Sequence, residues 1–306
     1  MEMKRVIFLG SKHFGEKNDV GVLAKQSAAA LQGQIDVTHC TFEDLLFTIT
    51  EKQRSIIDTA SGVDLAEADL VIAMNWYSTS QKSLRDLAFT VALYLQEHGV
   101  KFWNSEMILQ RSTTKLSAMW QLRAADVPVP DTVFSLNHQA AAATWRNEQA
   151  IVKDIAGSRG RNNYLVHTHE ELERLLADKP DTHVLVQQFI PNDYDVRVVC
   201  FGGEPRLVIK RQRQSDDTHL NNTSQGGQAT LLSLEKLPPE IIERTKKICQ
   251  LTGREMAGID YLVANNGTDA YICLEVNAIP QLTSGSFTSE KYEQLSDTIR
   301  DTLGKD

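Results

Sequence analysis

The sequence predicts an α/β lobe at the N-terminus followed by α+β lobes, and three observations predict it. Over residues 1–111, short apolar runs alternate with helical patterns, which implies a parallel sheet with crossover connections. After Asn104 the pattern changes to hairpins mixed with helices, the mark of α+β architecture. A chain of 306 residues is long enough for two or three lobes rather than one. The expected division is 1–111 and 112–306, the second part in two lobes that separate near residue 190.

The elements follow in order. KRVIFLGS reads as a short buried strand, DVGVLAKQSAAALQGQ as a helix, and ADLVIAMNWYS as a second strand. SLRDLAFTVALYLQEHGV is a strong helical stretch, and KFWNS is a third strand. In the second part RSTTKLSAMWQLRAAD is helical, while VPVPDTVFS is extended because each proline pushes its predecessor out of the α region. AIVKDIAGSRGRNNYLV is strand, turn and strand; EELERLLAD is a helix; HVLVQQFIP is a strand. DVRVVCFGGEPRLVIKRQ is a hairpin around Gly202 and Gly203, and RQSDDTHLNNTSQGGQ is a long polar loop, usually a sign of function or mobility. Pro238 and Pro239 open a helix to about Leu251, and two strands and a terminal helix finish the chain.

Composition limits the functional classes. A net charge of −8 argues against nonspecific nucleic-acid binding, which needs a basic surface. The run VIFLG after Arg5 is too short for the apolar core of a signal peptide, and no run reaches membrane-spanning length. The 4 cysteines show no CxxC spacing and are expected to be reduced thiols in a cytoplasmic protein without a membrane partner. His167 and His169 share a face if they lie on a strand, but no Cys or carboxylate stands at matching spacing. GSKHFG lacks dinucleotide-fingerprint spacing.

The most informative stretch is GIDYLVANNGTDAYICLEVN, in which the turn signal NNGT separates two strand-like runs. Pairing Ala264 with Tyr271 sets Asp260 directly opposite Glu275. The other face then pairs Ile259 with Val276, Tyr261 with Leu274 and Val263 with Ile272. That face is wholly apolar, so a one-residue slip would bury the acids. Asn277 shares the face of Glu275 because strand side chains alternate. Two opposed carboxylates repel, and a hard divalent cation such as Mg²⁺ would remove that repulsion. The alternative is a solvated strand end with incidental acids.

Three weaker constellations accompany it. Lys153 with the GSRG turn at 157–160 suits phosphate oxygens, or is an ordinary hairpin with a surface lysine. Asp195 and Arg197 share one face, as ligand groups or as members of a cross-strand ion pair. Lys210, Arg211 and Arg213 lead into the polar loop, as a solvated face or as groups closing on an anion. No P-loop is present, nor the HRD and DFG of protein kinases.

Taken in order, RSTTKLSAMWQLRAADVPVPDT, IVKDIAGSRGRNNYLV, VLVQQFI, DVRVVCFGGEPRLVIKRQ, NNTSQGG, AGIDYL and CLEVNAIP resemble the ATP-grasp superfamily, most closely its RimK-like carboxylate–amine (glutamate-type) ligases. The resemblance spans roughly residues 104–282, and the N-terminal lobe suits the pre-ATP-grasp domain. It implies that two α+β lobes grasp ATP, with Lys115 and Lys153 on its phosphates and the turn carrying Gly157, Ser158 and Gly160 above them. It implies Gln188 and Phe189 at adenine and Asp195 at the ribose. Asp260, Glu275 and Asn277 would hold two Mg²⁺ ions, or Mn²⁺ in their place, with Glu275 bridging. Arg197 and Arg211 would face the substrate carboxylate, and Asn222 the transferred phosphate. The implied reaction joins a carboxylate to an amine through an acyl phosphate, on small-molecule, amino-acid or peptide substrates, with a homo-oligomer as one expected state. The alternatives are a phosphotransferase on the same fold and an inactive nucleotide-binding module. Thr114, Leu220 and Gln281 depart from the family pattern, the last two at the substrate end.

Overall fold

The computed structural model describes residues 3–11, 20–31, 33–74, 82–104, 115–155, 162–214, 221, 227–265 and 270–304. Within them, β1 (Arg5–Gly10), β2 (Asp36–Thr41), β5 (Leu70–Ala73) and β6 (Lys101–Trp103) form a parallel sheet in the order β2-β1-β5-β6. Val6 to Leu9 and Leu70 to Ala73 are fully buried, as expected for parallel strands covered on both faces. The alternation decides which helix covers which face. Val6, Phe8, Leu70 and Ile72 meet α1 (Val20–Leu31), whereas Ile7, Leu9, Val71 and Ala73 meet α2 (Lys82–Glu97). An antiparallel hairpin of β3 (Leu45–Ile49) and β4 (Arg54–Asp58) lies beside this sheet.

The second sheet is antiparallel, in the order β7-β10-β8-β9, with β7 at Thr132–Phe134, β8 at Ala150–Asp154, β9 at Asn163–Val166 and β10 at Val184–Gln188. Ala150, Val152, Val184 and Val186 pack against α4 (His138–Thr144) and α5 (His169–Ala177). Lys153, one residue on from Val152 and paired with Leu185, therefore faces away from those helices. His167 follows β9 and His169 opens α5, so the two histidines do not share a strand face; His169 pairs with Glu173 on its own helix at 3.4 Å.

The third sheet runs β13-β12-β11-β14-β15: β11 (Asn192–Phe201), β12 (Glu204–Gln212), β13 (Gln228–Leu232), β14 (Ala257–Ala264) and β15 (Tyr271–Asn277), all antiparallel. The β11–β12 turn holds Gly202 and Gly203 at φ of 61° and 77°, the left-handed pair that a tight hairpin needs. One face, with Val196, Val198, Val208, Ile259 and Tyr261, packs against α3 (Lys115–Ala124) and α6 (Pro239–Thr252). The other face is divided. Val199, Phe201, Leu207 and Ile209 join the first sheet's core through α7 (Thr288–Leu303), while Asp195, Arg197, Arg211 and Asp260 make its other end charged.

The β14–β15 register begins as expected, with Asp260 opposite Glu275 and Ile259 opposite Val276, and then shifts. A bulge after Asp260 sets Tyr261 opposite Cys273 rather than Leu274, and Val263 opposite Tyr271 rather than Ile272. The small Cys273 takes the core place beside Tyr261, which sends Ile272 and Leu274 to the opposite face with Ile190 and Leu262.

Asn104 marks where the sequence changes character, and it is fully buried at φ 58°. Its amide reaches the carbonyls of Met256 (3.1 Å) and Ala278 (2.9 Å), tying the first sheet's last strand to both ends of the β14–β15 hairpin. The four cysteines are free and buried. Among the described residues no helix is long and apolar enough to cross a membrane.

Candidate active site

The charged end of the third sheet is built by register. Antiparallel pairing sets Asp195 beside Arg211, Arg197 beside Asp260, and Asp260 beside Glu275, so acids and bases from four adjacent strands fall into one patch. Arg197 grips Asp260 with two parallel bonds, Nε to Oδ1 at 2.7 Å and Nη2 to Oδ2 at 2.8 Å. Arg211 donates Nε to Asp195 Oδ1 at 2.6 Å and places Nη2 at 3.1 Å from Asp260 Oδ2. Burial alone would raise the Asp260 carboxyl, yet the two guanidiniums hold it below the usual carboxylate range. The opposed acids are thus not a bare pair: Asp260 already has two cations, and Glu275 has Lys115 Nζ at 3.6 Å. Electrostatic relief of that pair does not by itself require a metal.

The donor set still suits one. Asn277 turns its amide Nδ2 toward Gly258 O (3.3 Å) and Asp260 Oδ2 (3.4 Å). Glu275 is the more open carboxylate, its side chain 31% exposed against 4% for Asp260. Two carboxylates and an amide oxygen at a strand end are hard ligands that fit Mg²⁺ with water or phosphate completing its shell. Among the described residues no group of three His, Cys, Asp or Glu side chains could hold a metal ion, so the amide is needed for a third ligand.

Lys153 enters from the second sheet and Lys115 from the start of α3, so two lobes meet at Glu275. Lys153 is 7% exposed, and burial pushes its ammonium down to about 8 against the opposing pull of Glu275. Gln188 ends β10, its N–H donating to Asp131 O at 2.8 Å, and Phe189 follows it half-buried. Beyond them Ile190, Leu262, Ile272 and Leu274 form a small apolar cluster. Asp195, expected at the ribose, is 3% exposed and paired to Arg211, the ion-pair alternative with a different arginine. Gly157, Ser158, Gly160 and Asn222 lie outside the described residues.

Two further side chains belong to the patch. Gln281 adopts φ 55°, a left-handed conformation that costs roughly 1–3 kcal/mol when a non-glycine residue is held there. Its Oε1 accepts from Arg197 Nη1 at 3.1 Å, and its carbonyl accepts from Lys291 Nζ at 3.1 Å. Lys291 is only 2% exposed; burial, and then the charges of Arg197 and Arg211, push it down to about 8. It could have been found from the α7 pattern, since Lys291, Leu295, Ile299 and Leu303 are spaced by four and all buried.

Lys291 gives a pH prediction. With a folded value near 8 and an ordinary unfolded one of 10.5, the unfolded chain holds the extra proton between those values. Stability therefore rises with pH across that window. The expected result is that the stability of wild type minus that of Lys291→Met grows from pH 8 to 10.5, by at most about 1.4 kcal/mol per pH unit. Urea melts of both proteins check it, and a flat difference would place the ammonium in water.

Residues 112–295 match the RimK-like ATP-grasp domain family. A probable alpha-L-glutamate ligase of Legionella pneumophila is 25% identical over 203 residues, 63% of this chain and 64% of the relative. The beta-citrylglutamate synthase B of Danio rerio is 22% identical, over 90% of this chain and 67% of its own. The chain thus spans just under two thirds of the length of the Legionella relative. Among solved structures, a RiPP-associated ATP-grasp ligase of Chryseobacterium gregarium, in complex with ADP and a leader and core peptide, superposes with a TM-score of 0.69 at 13% identity. It covers 98% of this chain and 97% of that one, and shows the same ATP-grasp fold.

Proposed function

The chain belongs to the RimK-like ATP-grasp family, and from that premise we propose that it is an ATP- and Mg²⁺-dependent ligase joining a carboxylate to an amine. Acids and amines of amino-acid or peptide character are the substrates this reading favours, given a glutamate ligase and a citrylglutamate synthase among its relatives. One observation carries the reading: Lys115, Lys153 and Glu275, from three elements in two lobes, converge beside the buried Arg197–Asp260–Arg211 cluster. Such a junction would bring phosphate-neutralising cations, a metal-ligating acid and a carboxylate-binding region together.

Ile190, Leu262, Ile272 and Leu274 would receive the adenine, with Gln188 and Phe189 at its edge. Lys115 and Lys153 would meet the phosphates. Glu275, Asn277 and Asp260 would hold two Mg²⁺ ions, which when bound neutralise phosphate oxygens and polarise the γ-phosphorus. Arg211, fixed by Asp195, and Arg197, fixed by Asp260, hold the acid substrate for in-line attack. A carboxylate oxygen attacks the γ-phosphorus, the bond to ADP breaks, and an acyl phosphate forms. The amine nitrogen then attacks the acyl carbon, phosphate leaves with the C–O bonding pair, and the nitrogen loses a proton. The protein's part is positioning, charge neutralisation and exclusion of water from the activated acid.

The test is a screen of amino acids and short peptides, as acid and as amine, for substrate-dependent ADP release; silence across both sets would remove the ligase reading. In the same assay system Lys153→Ala is expected to weaken ATP binding by at least about 1–2 kcal/mol, the scale of a lost charged hydrogen bond. Unchanged nucleotide affinity would place that lysine away from the phosphates.

A further inference from the structure

The β14–β15 ladder ends at Asn277, whose amide is one of the three metal-suited groups. Its last pair sets Gly258 opposite Asn277, and Pro280 then lies back over the hairpin, 3.3 Å from where Gly258 would carry a Cβ. β15 is also the edge of its sheet, so a neighbouring strand holds it from one side only. A side chain on such a strand end keeps one direction only if the backbone around it is held from elsewhere.

Two buried side chains from outside the strand hold it. The carbonyls of Val276 and Ala278 flank Asn277 and, being two residues apart along a strand, point to the same side. Arg254 Nη1 donates to the first, and Asn104 Nδ2 donates to the second at 2.9 Å. Arg254 is fixed by the close of α6, where Gly253 adopts φ 63° and the Arg254 N–H donates to Cys249 O at 2.9 Å. Asn104 follows β6 of the first sheet and is gripped more fully. Its N–H donates to Glu255 Oε2 at 2.6 Å, its Oδ1 accepts from the Met256 N–H at 2.8 Å, and its Nδ2 also reaches Met256 O at 3.1 Å. Met256 and Ala278 lie beyond the Gly258–Asn277 pair on the two arms of the hairpin. The Asn104 amide thus bridges the arms where their own ladder has stopped.

We propose that Asn104 is a positioning residue for the metal end of the site: its amide fixes the strand end that aims Asn277, so the N-terminal lobe sets divalent-metal affinity in the ATP-grasp lobe. This rests on the ligase reading only in taking Asn277 as a metal ligand. Residues that orient ligands without touching the metal typically change its affinity about 10–100-fold when removed. Asn104→Gly deletes the amide at φ 58°, a conformation glycine adopts freely, and leaves a polar space that water can fill. Asn104→Asp is the second variant should the glycine variant not fold: it keeps the acceptor for the Met256 N–H and lacks the donor to Ala278.

The experiment titrates Mn²⁺ into the full chain saturated with ADP, reading free Mn²⁺ by its paramagnetic resonance, and measures ADP affinity separately without divalent metal. Asn104→Gly is expected to bind Mn²⁺ about tenfold more weakly with metal-free ADP affinity unchanged. Asn277→Ala is expected to lose Mn²⁺ affinity too, and adding Asn104→Gly to it to cost less than about a factor of two more, since the amide acts through Asn277. A merely structural role would weaken metal-free ADP binding as well and would add to the Asn277→Ala loss. Mn²⁺ affinity unchanged in Asn104→Gly, an equal loss of metal-free ADP affinity, losses that multiply in the double variant, or no Mn²⁺ bound by the wild-type complex overturns the proposal. A non-additive loss of Mn²⁺ affinity without ADP release from any acid and amine removes the ligase reading and leaves this one, whereas ADP release with unchanged Mn²⁺ affinity in Asn104→Gly does the reverse.

Discussion

Glu275→Ala is expected to abolish ATP turnover, by at least about a thousandfold, while the protein stays folded. In the proposed function Glu275 bridges the metal ions, and losing such a carboxylate removes several kcal/mol of stabilisation of the transferring phosphoryl group, each 1.4 kcal/mol being a factor of ten. The fold should hardly notice. Glu275 is 31% exposed at its side chain and meets Lys115 at 3.6 Å, the kind of pair worth about 0–1 kcal/mol. ADP release beside a thermal melt reads both effects at once. Full activity in this variant would take Glu275 out of the metal site.

Asp260→Ala is expected to do the opposite in stability, although the two acids stand directly opposite each other. Asp260 accepts both bonds of the Arg197 fork and lies 3.1 Å from Arg211 Nη2, all in buried surroundings. Removing it leaves two buried guanidiniums without their shared counter-ion, a loss of about 3–5 kcal/mol. Urea unfolding measures it. A loss below about 1 kcal/mol would mean that water or another acid already serves the two arginines.

The contrast shows what the sequence could and could not tell. The opposition of Asp260 and Glu275 was readable because one hairpin joins their strands and its apolar face has a strict alternation. The same reading stopped at the bulge, since a one-residue irregularity leaves no mark in an apolar run; Cys273 and Leu274 exchange faces there. The Arg197–Asp260 fork was not readable, because β11 and β14 are paired across 63 residues with no turn to set their register. Without that contact the acids read as a bare pair, for which a metal is one source of relief and a solvated strand end the alternative. The α/β opening was legible from Val6 to Leu9 and Leu70 to Ala73, fully buried runs that only a covered parallel strand explains. β2, with its partly exposed DVTHCT, and β13, with its polar edge, carry no such signal. Gln281 was visible as a departure from the family pattern, but its bond to Arg197 depends on a left-handed turn that only the fold reveals.

The central claim is that an acid is activated as its acyl phosphate, and trapping with hydroxylamine tests it most directly. With ATP, Mg²⁺, the acid found by the ADP-release screen and no amine, the account predicts an acyl hydroxamate formed mole for mole with ADP. ADP formed with a phosphorylated hydroxyl compound and no hydroxamate would contradict it, and would make the chain a phosphotransferase on the same fold.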